Sequence, residues 1–315
     1  GFSLSQRFYK LKAKLHGQTS IPYVNKYDPI GPSITLDFTQ ATEICRDVFY
    51  SVKSEYGQIF DRMLTAGQID VYPKTGKRGG AFMSSTVGLP TFVFLNHTDN
   101  FKSLETLAHE MGHAIHAERS KVQPEIYQDF STTTAETAST LFEQLVLDKA
   151  YEQLDDEQRV AFLHDKLTRD IATVQRQIAF FNFELKMHQN IREQGLATKE
   201  ELASLMEQSL KAYLGPAVTV TPEDGYSYVY IPHVRYGFYV YTYSYGHLVS
   251  NLLAARYRTD RGYVDQIDQF LCAGGNDTVE NIFKSIGVNT KKVDTFLDSL
   301  ATQADEIKRL ETLTS

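Results

Sequence analysis

Leu107-Ala108-His109-Glu110-Met111-Gly112-His113-Ala114-Ile115-His116 is the stretch on which the reading of this chain turns. In a helix, residues four apart stand on one face, so His109 and His113 direct two imidazoles at a single ion, at a spacing that suits zinc. Glu110 follows the first ligand and leans into the same cleft without being a ligand itself. That places a carboxylate where it can take a proton from an attacking water. Leu104, Leu107, Ala108, Met111 and Ile115 supply a mostly apolar buried face around the motif, and Gly112 leaves room beside the metal.

A catalytic zinc site needs three protein ligands and one open position. Glu136, in Ser131-Thr132-Thr133-Thr134-Ala135-Glu136-Thr137-Ala138-Ser139-Thr140, stands at the start of a predicted helix; Asp129 and Glu125 are further candidates. A capping box with Thr133 accounts for Glu136 equally well, and spacing alone leaves the two open. A structural zinc is disfavoured, because such sites use four protein ligands and commonly cysteines, and both Cys45 and Cys272 lie far from the motif.

Outward from the motif, the 315 residues are 42% hydrophobic, enough for a large core. The 39 acidic and 32 basic residues are interspersed, giving a formal charge of −7 and no basic block that could track a phosphate backbone, so nucleic acid is not an expected partner. Two solitary cysteines, read as buried thiols, suit a reducing, cytoplasmic compartment. No apolar run approaches the roughly 20 residues that span a bilayer, and Gly1-Phe2-Ser3-Leu4 lacks secretory-signal features, so no membrane partner is expected.

Leu4, Phe8, Leu11 and Leu15 predict a first helix to about His16, opened by a capping box of Ser3 and Gln6. Residues 17–36 read as an extended connection, followed by two helices broken near Gly57. Gly79–Asn96 reads as a short hairpin or small sheet. Helices then follow at about 101–119, 132–150, a single long segment 156–194, and 199–213. A tyrosine-rich stretch, 226–245, leads into helices near 238–258, 261–271, 278–286 and 290–313. The sum is a helix-rich α+β single domain around one cleft.

The chain resembles the oligoendopeptidase F branch of the thimet oligopeptidase family of zinc peptidases. The resemblance rests on Gly76-Lys77-Arg78-Gly79-Gly80-Ala81-Phe82, Phe94-Leu95-Asn96, the Leu107–His116 stretch, Ala135-Glu136-Thr137-Ala138-Ser139 and the segment from Pro232 to Gly246, in the family's order. It implies a zincin-like HExxH catalytic domain with a small β-sheet beside the active-site helix, one Zn2+ ion, and Glu136 as third ligand. It also implies catalytic roles for His233, Tyr239 and Tyr243, donors of the kind that stabilise an oxyanion, with Tyr236 and Tyr241 as substitutes. Tyr239 and Tyr243 share a face if both stand on a helix. Gly79-Gly80-Ala81-Phe82 reads either as a Gly-rich turn or as an edge strand to which a peptide adds its backbone, and the resemblance favours the substrate strand.

Two departures stand out. Gly246-His247 occupies a place where a further tyrosine is expected. Family members also usually carry a helical region before the equivalent of Gly1, so residues 1–315 are expected to be one catalytic domain corresponding to the C-terminal half of a longer architecture. The implied function is a zinc endopeptidase acting on short or unfolded oligopeptides. Its rivals are an exopeptidase of dipeptidyl carboxypeptidase type and a zinc-holding peptide-binding module. Glu143 either orients a ligand histidine or faces solvent.

Overall fold

The computed structural model describes Gly1–Ser315 and is built mainly from helices: α1 (Phe2–Leu15), α2 (Phe38–Val52), α3 (Ser54–Thr65), α4 (Phe101–Ser120), α5 (Thr132–Glu152), α6 (Asp156–Thr173), α7 (Gln175–Gln194), α8 (Lys199–Leu214), α9 (Tyr241–Thr259), α10 (Val264–Ala273), α11 (Val279–Ser285) and α12 (Val293–Leu313). The strands are short: β1 (Ile21–Pro22), β2 (Ile69–Asp70), β3 (Phe82–Ser84), β4 (Phe92–Phe94) and β5 (Val218–Thr219). The predominantly helical α+β class expected from the sequence holds. The chain divides into two compact units, one of Gly1–Pro32, Asp156–Tyr245 and Leu300–Ser315, the other of Ser33–Asp155 and Gly246–Ser299.

In the second unit α4 packs against α2, α3, α5 and α10 and against β3 and β4. Its sheet has the order β2-β4-β3, with β2 parallel and β3 antiparallel to β4, so that Met83 faces Val93. Edge-on rings fill the space behind α4 and α5: Phe49 on Phe60 and on Phe142, at centroid separations of 5.3 and 5.7 Å, and Tyr56 on Phe142 at 5.3 Å. Asp37 and Gln40 cap α2 reciprocally. The break between α2 and α3 falls at Lys53, whose backbone is extended, and not at Gly57. Gly57 lies inside α3 because the Tyr50 ring crosses it; a Cβ there would stand 2.3 Å from that ring. Asp268 of α10 ties the helices together, accepting both Arg119 donors at 2.8 Å, Lys53 Nζ at 2.7 Å and the Tyr56 hydroxyl at 3.0 Å. Cys45 is buried as expected, whereas Cys272 is partly exposed.

In the first unit the expected Ser3–Gln6 capping box does not form. Gly1 is the N-cap and makes no side-chain cap bond. The polar groups of the first turn reach across to α8 instead: Ser5 Oγ donates to the Tyr213 carbonyl at 2.6 Å and Gln6 Nε2 to that of Ala212 at 2.8 Å. The single helix expected over 156–194 is two, α6 and α7, separated at Val174. No proline or glycine marks the break. Ser244 Oγ takes its place, donating at 3.2 Å to the carbonyls of both Thr173 and Val174.

Lys166 of α6 is buried between two carboxylates, 2.7 Å from Asp170 Oδ2 and 2.8 Å from Glu306 Oε2. Burial alone would lower the ammonium pKa, but the two opposing charges outweigh it and raise it. Lys166→Met would remove the cation that buried Asp170 and half-buried Glu306 share. The expected loss is about 3–5 kcal/mol of unfolding free energy, read from denaturant titration; a change below about 0.5 kcal/mol would show the trio to be dispensable.

Candidate metal centre

α4 is opened by Asn100, whose side-chain oxygen accepts the Ser103 N–H at 3.0 Å, and its inner face of Leu104, Leu107, Ala108, Met111 and Ile115 is wholly buried. This fixes the rotation of the helix, so His109 and His113 emerge together, their rings 4.9 Å apart and nearly perpendicular. α5 is capped by Ser131, which accepts the Thr134 N–H at 3.2 Å. The alternative role for Glu136, a capping box with Thr133, is therefore not taken up. Its carboxylate faces α4, with Oε2 3.5 Å from His109 Nε2.

One ligand atom from each of His109, His113 and Glu136 lies within 4.8 Å of the others. Glu125 sits in the short turn Glu125–Tyr127 and Asp129 accepts its neighbour Phe130's N–H at 2.9 Å; both are exposed and neither joins the group. Glu143 Oε2 lies 2.8 Å from His109 Nδ1, which fixes the ring and leaves Nε2 toward Glu136. Two imidazole nitrogens and one carboxylate oxygen are the donor set of a catalytic zinc, with a coordination position left over. The residues present fit the ion.

The helices meet here through glycine. A Cβ on Gly112 would stand 2.6 Å from Ser139 Cα, so the room Gly112 leaves is taken by the α5 backbone and not by the metal. Gly246 of α9 is similar, since its Cβ would stand 3.0 Å from that of Glu136. A tyrosine at that position would press directly on Glu136. Gly112→Val should accordingly push α4 from α5, costing upward of about 1–3 kcal/mol and weakening metal retention; an unfolding midpoint and metal content equal to the parent's would refute the close-approach account.

Electrostatically the four groups differ. Burial pulls His109 down, but hydrogen bonds to Glu136 and Glu143 win and raise it to about 10 in the metal-free chain. Burial, reinforced by the neighbouring His109 charge, lowers His113 to about 4. Burial would raise Glu136, yet the two histidines hold it below the usual carboxylate range. Glu110 is raised by burial to about 7, although His109 and a hydrogen bond from the Met83 backbone favour its charged form. β3 thus packs beside the Glu110 carboxylate, a proximity no sequence signal announced.

β3 is the outer strand of its sheet, but it begins at Phe82; Gly79, Gly80 and Ala81 lie outside it. Gly80 has φ +85°, and Asn96 Nδ2 holds the turn by donating to the carbonyls of Arg78 and Gly80 at 3.0 and 2.8 Å.

The first unit contains the second expected cluster. His233 stands in the turn Pro232–Arg235, and its Nε2 is 3.0 Å from the Tyr243 hydroxyl. Tyr239 stacks on His233, centroids 5.4 Å apart, and meets Tyr243 edge-on at 5.6 Å. Tyr243 is on α9, but Tyr239 precedes it, so the helical face expected to join them is not what does so. The turn before α9 does that instead. Gly237 and Phe238 both have left-handed φ, +63° and +56°, and the Phe238 N–H donates at 2.6 Å to buried Glu184, a residue sequence reasoning passed over. Tyr236 and Tyr241 are 70% and 51% exposed and outside the ring cluster.

Residues 34–302 match the family model described as peptidase family M3. The chain belongs to peptidase family M3. A metal cofactor is implied by that membership, and the resemblance read from the sequence blocks is upheld. This M3 chain is 30% identical over 291 residues to oligopeptidase PepF of Bacillus subtilis (strain 168), covering 91% of itself and 43% of that protein. It is 31% identical over 307 residues to the chromosomal oligoendopeptidase F of Lactococcus lactis subsp. cremoris, covering 94% and 50%. Among solved structures, a Chlamydophila abortus protein superposes with TM-score 0.90 at 25% identity, over 99% of this chain and 53% of that one. Oligoendopeptidase-F from Enterococcus faecium superposes at 0.74 and 24% identity, over 99% and 50%, a likeness of fold. The chain spans about half the length of these relatives. No helix is long and apolar enough to cross a membrane.

Proposed function

We propose that residues 1–315 act as one zinc metallopeptidase catalytic domain that hydrolyses internal bonds of short or unfolded oligopeptides in the cytoplasm. The observation that carries this reading is the convergence of His109, His113 and Glu136 within 4.8 Å, with Glu110 beside them. Bound there, one Zn2+ would polarise the scissile carbonyl and acidify water. Glu110 accepts a proton from the attacking water and passes it to the departing amine; burial raises its pKa toward neutrality, which suits both tasks. No covalent intermediate is required. In this reading His233, Tyr239 and Tyr243 donate hydrogen bonds to the developing oxyanion, supported by the phenol and imidazole already hydrogen-bonded in their cluster. The outer edge of β3, which begins at Phe82 and is preceded by Gly79, Gly80 and Ala81, offers an extended peptide main-chain pairing.

The test is cleavage of an internally quenched peptide blocked at both ends. Internal cleavage lost with chelator and restored by zinc is the expected result. Turnover confined to peptides with a free C-terminus, releasing dipeptides, would replace the endopeptidase with an exopeptidase. Zinc binding without turnover of any peptide would leave a peptide-binding module.

A further inference from the structure

A cavity of about 460 Å³ within the first unit is lined by Tyr23, Lys26, Arg176, Gln177, His233 and Tyr243, among others, and by no carboxylate. Lys26 is buried, yet Nζ has only the Tyr23 carbonyl at 3.2 Å and the faces of the Tyr23 and Tyr27 rings, 3.5 and 4.6 Å to the centroids. Arg176 donates to the Ala172 carbonyl at 3.1 Å and the Tyr27 hydroxyl at 2.6 Å, both uncharged acceptors. Burial and then the Arg176 charge pull Lys26 down to about 8, offset in part by Asp224. Asp224 lies outside the lining, its carboxylate accepting the Thr221 N–H at 2.8 Å and hydroxyl at 3.1 Å. A desolvated Lys26 ammonium that faces the charge of half-buried Arg176 is costly unless an anion joins them. Gln177 adds a buried side-chain oxygen with no hydrogen-bond partner, an acceptor for an incoming N–H.

A group that satisfies all of these at once is a carboxylate carried on an amide backbone. We infer that this pocket binds a carboxylate of the peptide substrate, either its C-terminus or an Asp or Glu side chain, through Lys26 and Arg176. The inference rests on the assignment of His233 and Tyr243 to substrate, because they line the same cavity. The chain would therefore select oligopeptides that present a negative charge.

The experiment compares three matched peptides: a free C-terminal acid, its amide, and the amide carrying one glutamate. The acid or the glutamate peptide should be favoured over the plain amide by roughly 10–100-fold in kcat/KM, mainly through KM, as charge-assisted hydrogen bonds predict. Which of the two is favoured identifies the source of the carboxylate. In Lys26→Gln and Arg176→Gln the preference should shrink to a few-fold, and Arg176→Lys should recover part of it. Calorimetric binding of N-acetyl-trialanine and of its amide to the intact chain provides a readout without turnover. Equal affinities, or equal kcat/KM for all three peptides, would overturn the pocket while leaving the peptidase reading intact. Preferential binding of the acid by a chain that cleaves nothing would do the reverse.

Discussion

Glu110→Gln is expected to lower turnover of a blocked oligopeptide by about 10²–10⁴-fold while metal content stays at the parental level. The side chain is isosteric, and its carbonyl oxygen can keep the hydrogen bond from the Met83 backbone, so the geometry beside the metal trio is preserved. What it loses is proton transfer. Glu110 is 7% exposed and lies outside the trio of ligand atoms, which is why ligand loss and base loss are separable here. The raised pKa gives the direction of the pH profile: the base must be unprotonated, so activity should climb as pH rises through the region below about 7. A bound cation would favour the charged carboxylate and move that limb to lower pH. The check is kcat against pH together with metal analysis of both proteins. A variant that kept a tenth or more of parental turnover at full metal content would remove Glu110 from the proton-transfer role.

The metal helix was legible because its signals are local: i, i+4 histidines and an apolar stripe at helical period. Glu136 was not settled by the same means. Ser131, Thr132, Thr133 and Thr134 are four successive residues each able to cap a helix, and choosing Ser131 over Thr133 is decided by where α5 docks, not by the sequence around it. Helix breaks divide along the same line. Gly57 carries the usual sign of a break but serves as a contact for the Tyr50 ring, while Val174 carries none and is opened by Ser244, 70 residues away. β2 is two residues long, too short for any periodicity to show, and exists because β4 pairs with it. The Tyr239–Tyr243 pairing was expected for the wrong reason. Left-handed Gly237 and Phe238, held by Glu184, swing Tyr239 onto His233, and nothing in local sequence marks a long-range carboxylate as the anchor of a turn.

Glu136→Ala should weaken zinc binding by more than the roughly 10–100-fold expected for loss of the outer partner in Glu143→Gln. Glu136 supplies the carboxylate of the trio, so its removal takes away both a donor and a negative charge that offsets the ion. The two acids also act through His109. In the metal-free chain their hydrogen bonds raise that imidazole to about 10 from 6.5, so near neutral pH it carries a proton that zinc must expel. Because the folded pKa lies above the unfolded one, this arrangement stabilises the metal-free fold fully below about pH 6.5. The contribution is lost as pH rises through about 10. Zinc affinity should therefore increase with pH across that window, with release of about one proton per ion near pH 7, measurable by calorimetry in buffers of different ionisation enthalpy. Glu136→Ala and Glu143→Gln should each release fewer protons, since each removes one of the hydrogen bonds that hold His109 protonated. Glu125→Gln should match the parent in affinity and proton count, because Glu125 is exposed and outside the trio. Parental affinity in Glu136→Ala, with loss in Glu125→Gln or Asp129→Asn, would transfer the third ligand to the loop between α4 and α5. It would also leave the 3.5 Å approach of Glu136 to His109 as an ion pair of the metal-free state alone.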